Sequence, residues 1–165
     1  MDIITALAVS IGLLGGVATY VFLSFGMGLQ IWAAFIGWAS YYHCGGQTKG
    51  LTDSIAGAVW GAVMAAAAFA LMGVIGLPGA LGAAVAVAIT VFIMIMGAKV
   101  PILSSIPAAV YGYASTAALT LLGKDELAGL GGSLLAVPAV NVAISMIIGA
   151  IFGYISQQLA GALSK

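Results

Sequence analysis

Two stretches of the chain, WAAFIGWASYY at 32–42 and PAAVYGYASTA at 107–117, are near copies of each other. Aligned at an interval of 75 positions, the copies are identical at Ala33/Ala108, Ala34/Ala109, Gly37/Gly112, Ala39/Ala114 and Ser40/Ser115. Lys49 and Lys124, which follow the two copies, are separated by the same interval. The repetition predicts that the chain consists of two related halves.

The composition restricts where such a chain can fold. Of its 165 residues, 64% are hydrophobic and only 5% are charged, and its mean hydropathy is +1.26. A soluble domain carries about 25% charged residues, which cover its surface. The chain has four lysines, no arginine and four acidic residues. We therefore predict an all-α integral membrane protein whose principal partner is the lipid bilayer.

The spacing of charges, glycines and prolines divides the chain into six candidate spans. A helix needs about 20 apolar residues to cross a hydrocarbon core of about 30 Å. The second span is short, because two glycines follow YYHC, and Pro107 marks the start or a kink of the fifth. We predict six transmembrane helices, at 3–25, 29–44, 54–75, 80–97, 103–122 and 133–156.

The two copies fall in the second and the fifth span, as a three-plus-three duplication requires. Residues 1–75 then form the first repeat and residues 76–165 the second. Because three is odd, the second repeat enters the membrane from the opposite side, which gives an inverted repeat with short or broken helices near a solute path. The alternative is that the shared alanines and glycines serve only close helix packing.

Uncharged polar and aromatic side chains in spans two, five and six are the candidates for a solute path. The amide of Asn141 is the most polar of them, and we expect Pro138, three residues before it in the sixth span, to free the carbonyl of Leu134. The alternative places the aromatic rings in the interfacial belt and the polar groups in interhelical contacts. The candidate path residues are Trp38, Ser40, Tyr41, Tyr113, Ser115, Thr116 and Asn141.

Several functional classes have no support in the sequence. His43 and Cys44 are neighbours, so on a helix their side chains diverge by about 100° and form no catalytic dyad. The single cysteine forms no internal disulfide, and no Cys/His spacing fits a metal site. A net charge of zero without a basic run argues against nucleic acid. We expect no enzymatic activity, no cofactor and no metal.

Charged groups are predicted only outside the membrane core. Lysines favour the cytoplasmic side, so Lys49, Lys99 and Lys165 indicate that both termini are cytoplasmic, and the start MDIITALAV indicates a retained first span. His43 at the cytoplasmic mouth is either a pH-dependent gate or an ordinary interfacial histidine. Thr52 and Asp53 are expected to cap the third span.

The pattern WAAFIGWASYYHCGG…KGL, followed by SSIPAAVYGYAS in the second half, resembles the YcdZ-like family of small bacterial inner-membrane proteins, whose function is unassigned. The resemblance implies an inner-membrane location and about six helices, and it supplies no functional residues.

With no ionisable group in the predicted membrane core, the side chains favour a passive channel or facilitator for a neutral solute the size of urea, ammonia or water. Six short spans leave little material for an internal pore, so we expect a homo-oligomer such as a trimer. The alternatives are an accessory membrane subunit without a transport path, or a small secondary carrier.

Overall fold

The structure is a computed structural model, and it describes residues 1–26 and 28–164. Throughout this part of the chain every regular element is helical, which confirms the all-α prediction. Three single turns of 3₁₀-helix, Gly97–Lys99, Pro101–Leu103 and Leu134–Ala136, lie in the connections. The helices are α1 (Ile3–Ser24), α2 (Ile31–His43), α3 (Gln47–Ile75), α4 (Gly79–Met96), α5 (Ile106–Leu122), α6 (Lys124–Ala128) and α7 (Pro138–Leu163).

Four of these helices are long and apolar enough to cross a membrane: α1, α3, α7, and α4 together with the turn that follows it to Lys99. Helix α5 has 17 residues and α2 only 13. At 1.5 Å per residue, α2 is about 20 Å long, which is less than the hydrocarbon core of about 30 Å. The second and fifth predicted spans are therefore the two short ones.

The N-terminus of α1 is capped by the side chain of Asp2. Its carboxylate accepts hydrogen bonds from the Thr5 backbone N–H at 3.0 Å and from the Thr5 hydroxyl at 2.6 Å. An N-cap oxygen satisfies a backbone donor that the helix itself leaves free. The hydrogen bond from the Thr5 side chain, the larger cause, and the one from its backbone lower the pKa of Asp2 below its usual value of 3.8.

Acid is expected to fray the first turn of α1. Because the pKa of Asp2 is lowered in the folded state, its contribution is complete above pH 3.8 and is lost as the pH falls through the lower folded value. Asp2→Asn keeps a capping oxygen but removes this titration. Amide hydrogen exchange of residues 3–6, corrected for intrinsic rates, should rise in acid for the wild type and not for Asp2→Asn. Equal acid sensitivity in both proteins would contradict the role of the carboxylate.

Helix α3 begins seven residues earlier than predicted, so the expected capping role of Thr52 and Asp53 is wrong. Gly45 and Gly46 have φ values of +88° and +68° and reverse the chain directly after α2, which leaves the following polar residues free to be helical. Lys49 and Asp53 then lie one turn apart within α3 and form an ion pair, an arrangement that helices tolerate well.

Helix α7 also differs from its predicted span. Pro138 is the first residue of the helix, a position where its missing N–H is of no consequence, and does not lie inside the span as predicted. The Leu134 carbonyl accepts a hydrogen bond from the Val137 N–H at 3.1 Å and is not freed. At its other end α7 continues through Gln157 and Gln158 to Leu163, because glutamine is a good helix former.

The centre of the bundle consists of α2, α3, α5 and α7, with α2 packed mainly on α7 and α3 mainly on α5. A Cβ atom on Gly149 would overlap the Ala34 carbonyl, and one on Gly61 would overlap the Ala109 carbonyl. Both pairs of helices therefore approach at backbone distance, as small residues allow in membranes. The four helices share one core, formed by Ala33, Ala58, Leu119, Val142 and Met146.

Helices α1 and α4 lie outside this centre, α1 against α7 and α4 against α3. The amino group of Met1 donates to the Leu163 carbonyl at 3.2 Å, so the start and the end of the described chain meet. We call this end of the bundle, which also holds His43, the terminal end, and the end that holds Asn141 the opposite end. Lys165, one of the three lysines behind the predicted orientation, lies outside the described residues.

Candidate functional site

At the terminal end, three aromatic side chains of α2 are bonded to the last turns of α7. The Trp38 indole N–H donates to the Ser156 hydroxyl at 3.1 Å, and the Tyr42 hydroxyl lies 2.7 Å from the same oxygen. Ser156 itself donates to the Gly153 carbonyl, so it accepts from both rings. The Tyr41 hydroxyl donates to the side-chain oxygen of Gln157.

This cluster also fixes the α2–α3 connection. The side-chain oxygen of Gln157 accepts a second hydrogen bond, at 2.8 Å, from the Gln47 backbone N–H. Gln47 has a φ of +58°. Among the described residues, it is the only one other than glycine whose φ is positive. A single amide on α7 therefore connects the end of α2 to the start of α3 through hydrogen bonds, and Tyr41 is fully buried.

In the middle of the bundle, the serines of the two copies have different surroundings. The Ser54 hydroxyl of α3 donates to the Ser40 hydroxyl of α2 at 2.8 Å, and both side chains are buried. Ser115 on α5 is buried as well. On the same helix, the Tyr113 hydroxyl lies 3.0 Å from the hydroxyl of Thr90 on α4, which places this ring toward the outer helix rather than toward Ser115.

Asn141 lies at the opposite end, in the first turn of α7, and is fully buried. Its amide donates to the Gly28 carbonyl at 2.7 Å and to the Leu135 carbonyl at 2.9 Å. One turn further along α7, the Ser145 hydroxyl accepts a hydrogen bond from the Gln30 backbone N–H at 3.0 Å. These two polar side chains hold the chain that enters α2 against the start of α7.

Thr116 differs from the other buried polar side chains. It is 1% exposed, and its hydroxyl has no hydrogen-bond partner among the described residues. Thr120, one turn later on α5, donates to the Thr116 carbonyl at 2.7 Å. Both threonines line a cleft of about 170 Å³ between α3, α5 and the start of α7.

The seven predicted path residues are thus buried or partly buried, but they do not line one lumen in the described part of the chain. Trp38 and Tyr41 bond to α7 at one end, Asn141 bonds at the other, and Ser40 pairs with α3 in between. The sequence reading missed their partners on α3, α4 and α7. Two of the partners on α7, Ser145 and Ser156, belong to a series of small and polar residues that recurs every three or four positions from Asn141 onward. This helical spacing could have revealed them. The missed partners are Ser54, Thr90, Ser145, Ser156 and Gln157. Gln30, which precedes α2 and bonds to Ser145, was missed as well.

His43 and Cys44 make separate contacts, as their helical spacing predicts. The Nδ1 atom of His43 lies 2.8 Å from the Tyr111 hydroxyl, and the Cys44 sulfur lies 3.1 Å from the Ser105 hydroxyl. Each side chain links the end of α2 to α5 or to the residue that precedes it. In residues 1–26 and 28–164, no three His, Cys, Asp or Glu side chains are grouped as a metal site.

Comparison with known proteins shows which family the chain belongs to. The family model described as "Protein of unknown function (DUF1097)" matches residues 8–161. The chain belongs to the DUF1097 family. It is 31% identical over 161 residues to the inner membrane protein YcdZ of Escherichia coli strain K12, an alignment that covers 93% of this chain and 83% of YcdZ. No solved structure gives a significant match.

Membership of the DUF1097 family confirms the resemblance inferred from the doubled motif. The matched region runs from α1 to α7 and includes both copies, the double glycine after α2 and the buried amide of Asn141. The protein is accordingly a membrane protein of this family.

Proposed function

We propose that the protein is a passive channel or facilitator for a small neutral solute in the bacterial inner membrane. In this proposal six helices (α1–α5 and α7) cross the membrane as a three-plus-three inverted repeat, with both termini cytoplasmic, and the chain works as a homo-oligomer. The inner-membrane location rests on the relative YcdZ, which is named an inner membrane protein.

The reciprocal packing of the two halves is the observation that carries the proposal. Helix α2 packs on α7, and its counterpart α5 packs on α3, the counterpart of α7. A Cβ atom on Gly37 would overlap the Met146 backbone, and one on Gly112 would overlap the Ala58 backbone. Gly37 and Gly112 are 75 positions apart in the chain, whereas Ala58 and Met146 are 88 positions apart.

The same two intervals relate the second pair of close contacts, Gly149 with Ala34 and Gly61 with Ala109. The interval is longer for α3 and α7 because the segment containing α6 and a 3₁₀ turn precedes α7. Lys124 lies on α6 and Lys49 on α3. The two lysines, which align at an interval of 75, are therefore not equivalent positions in the repeat, because residues of α3 and α7 correspond at an interval of 88. Two pairs of contacts exchanged between halves support a two-fold axis in the membrane plane, the architecture of many transporters.

Charge supports a neutral solute. The buried polar groups of the central helices are hydroxyls and an amide, and the partly buried carboxylate of Asp53 is paired with Lys49. Unpaired charges inside a membrane are expensive and mark ion or proton paths. Hydroxyls and amides suit hydrogen bonding to an uncharged molecule such as urea, ammonia or water.

In this proposal the described conformation is closed, and the bonds from Trp38, Tyr41 and Tyr42 to α7 form the gate. Interhelical hydrogen bonds in membranes average about 0.6 kcal/mol each. Three such bonds would stabilise the closed state over the open state by about 2 kcal/mol. At that free-energy difference, a few per cent of the molecules are open.

One observation favours the alternative of an accessory membrane subunit without its own path. Ser40, Ser115 and Asn141 are tightly packed, with side chains 0%, 3% and 0% exposed. A scaffold keeps such groups dry permanently, whereas a channel exposes them to water when it opens. Transport measurement separates the two possibilities.

The test is stopped-flow light scattering of proteoliposomes challenged with urea, ammonia or an impermeant osmolyte for water. The proposal expects permeability above that of empty liposomes. Gln157→Leu, which removes the partner of Tyr41, is expected to raise the flux severalfold. Gln158→Leu removes an exposed amide on the same helix and should leave the flux unchanged. Flux at the level of empty liposomes for the wild type and for Gln157→Leu, both folded, would reject the channel in favour of the accessory subunit.

A further inference from the structure

A cleft with several polar side chains lies at the terminal end of the bundle, beside the bonds that join α2 to α7. Its volume is about 450 Å³, and its walls come from the start of α1, the end of α2, the start of α3 and the last turns of α7. Ile3 and Leu7 supply apolar surface, whereas Tyr42 and Gln157 supply polar groups. None of the described residues that line the cleft is charged, so an ion would lose its hydration there without compensation.

The side-chain amide of Gln157 has a fixed orientation in this cleft. The Gln47 backbone N–H and the Tyr41 hydroxyl are bonded to the same atom of the amide. Because a backbone N–H can only donate, that atom is the oxygen. A Cβ atom on Gly46 would lie 2.7 Å from the Gln157 nitrogen and 2.8 Å from its oxygen, so the amide packs directly against Gly46. The direction of its NH₂ group is therefore set by the surrounding structure.

The NH₂ group of Gln157 donates to no other described residue. Within residues 1–26 and 28–164, the only buried side-chain nitrogen or oxygen without a partner is the Thr116 hydroxyl, so the Gln157 NH₂ group has accessible surface. A ligand bonded to it does not have to immobilise this side chain, which is one of the main costs of binding. Gln158 also lines the cleft, but its amide is exposed and has no bonds that fix its direction.

The two polar groups require opposite partners on a ligand. The NH₂ group of Gln157 requires an acceptor. The Tyr42 hydroxyl gives its hydrogen to Ser156, so its oxygen can only accept and requires a donor. A carbonyl with an N–H on the adjacent atom supplies both in one small, neutral group. The phosphate of a lipid headgroup is a poor match, because the cleft has no arginine or lysine in its walls to pair with it.

We propose that this cleft binds a small neutral amide such as urea or acetamide. The amide carbonyl accepts from Gln157, its N–H donates to the Tyr42 oxygen, and the rest of the molecule packs against Ile3 and Leu7. The cleft adjoins the proposed gate and narrows the neutral solute to amides, so in this respect it rests on the proposed function. Binding itself requires no transport.

The test measures the Kd of acetamide for the full chain in lipid nanodiscs, by saturation-transfer NMR of the acetamide methyl group. Empty nanodiscs correct for partition into lipid. Acetone has the same shape but no N–H, and acetate has the same shape but a negative charge. We expect each of them to bind at least fivefold more weakly than acetamide, the effect of losing about one neutral hydrogen bond.

Two substitutions alter the cleft in different ways. Gln157→Glu keeps an oxygen toward Tyr41 and Gln47 but replaces the NH₂ group by a second oxygen. It should raise the Kd of acetamide about tenfold and make acetamidine, a cation of the same shape, the better ligand, a gain that a misfolded protein could not show. Gly161→Leu places a side chain in the cleft where no atom lies within 4 Å of the new Cβ, and it should abolish saturable binding.

Gly73→Leu and Gln158→Leu are the matched controls. Gly73 has the same open surroundings at the far end of α3, and the amide of Gln158 is not fixed, so both variants should bind acetamide within twofold of the wild type. The proposal is overturned by the absence of saturable acetamide binding, by equal affinity for acetone or 2-propanol, or by unchanged binding in Gln157→Glu or Gly161→Leu. Acetamide binding without urea flux would retain the site and reject the channel. Urea flux without acetamide binding would reject the site and retain the channel.

Discussion

Gly149→Ala and Gly61→Ala are each expected to lower the free energy of unfolding by about 2 kcal/mol. A Cβ atom at either position would overlap a carbonyl oxygen of the facing helix, Ala34 for one and Ala109 for the other. Overpacking an interface of this kind costs about 1–3 kcal/mol. Because the two glycines lie in different helix pairs, the double variant should lose about 4 kcal/mol, close to additivity. Reversible unfolding in mixed micelles by titration with SDS measures each value.

Gly12→Ala and Gly73→Ala are the matched controls. No atom outside their own helix lies within 4 Å of a Cβ atom placed on either glycine. Alanine is a better helix former than glycine by about 1 kcal/mol, so these variants should be neutral or slightly more stable. If all four variants shifted the unfolding free energy by the same amount, close backbone contact would not be what holds the two helix pairs together.

Asn141→Leu is the second substitution with a large expected effect. Leucine has the same branching and number of side-chain heavy atoms but cannot donate to the carbonyls of Gly28 and Leu135, which the amide now bonds at 2.7 and 2.9 Å. A buried carbonyl left without a donor costs about 1–3 kcal/mol. We expect a loss of about 2 kcal/mol, and faster hydrogen exchange at the residues that lead into α2.

The control for Asn141→Leu is Gln158→Leu, which removes an exposed amide from the same helix. Measured by the same SDS titration, it should change stability by less than about 0.5 kcal/mol, as surface substitutions usually do. An equal loss in the two variants would mean that Asn141 acts through helix propensity or lipid contact and not through its two hydrogen bonds.

The doubled motif predicted the short helices well because their small residues dictate close packing. Helices α2 and α5 begin at Ile31 and Ile106, which are 75 positions apart like the two copies. Of the five identical pairs, all except Ala39/Ala114 are buried in both helices. Pro107 lies in the first turn of α5, where its fixed φ is favourable.

The start of α3 escaped prediction because its first residues, QTKGLTD, have the composition of a loop. One contact that supports the helix there is tertiary, the hydrogen bond from the Gln47 backbone to Gln157, and the ion pair of Lys49 with Asp53 within α3 adds to it. The partners of the predicted path residues escaped for the same reason. Nothing local to Trp38 indicates that its indole meets Ser156, which is 118 positions away.

The exchanged packing of the helices has a consequence for the order of events during synthesis. Helix α2, with 13 residues, is the shortest of the helices proposed to cross the membrane. Its main partner, α7, begins at Pro138, nearly a hundred residues after the end of α2 at His43. Ribosomes add about 5–20 residues per second, so α2 waits some 5–20 seconds for the surface that buries it. During that interval its face of small residues, Ala33, Ala34 and Gly37, and its three aromatic hydrogen-bonding groups lack the partners that later bury them. The nascent chain therefore passes through a vulnerable period that ends only when its last helix arrives.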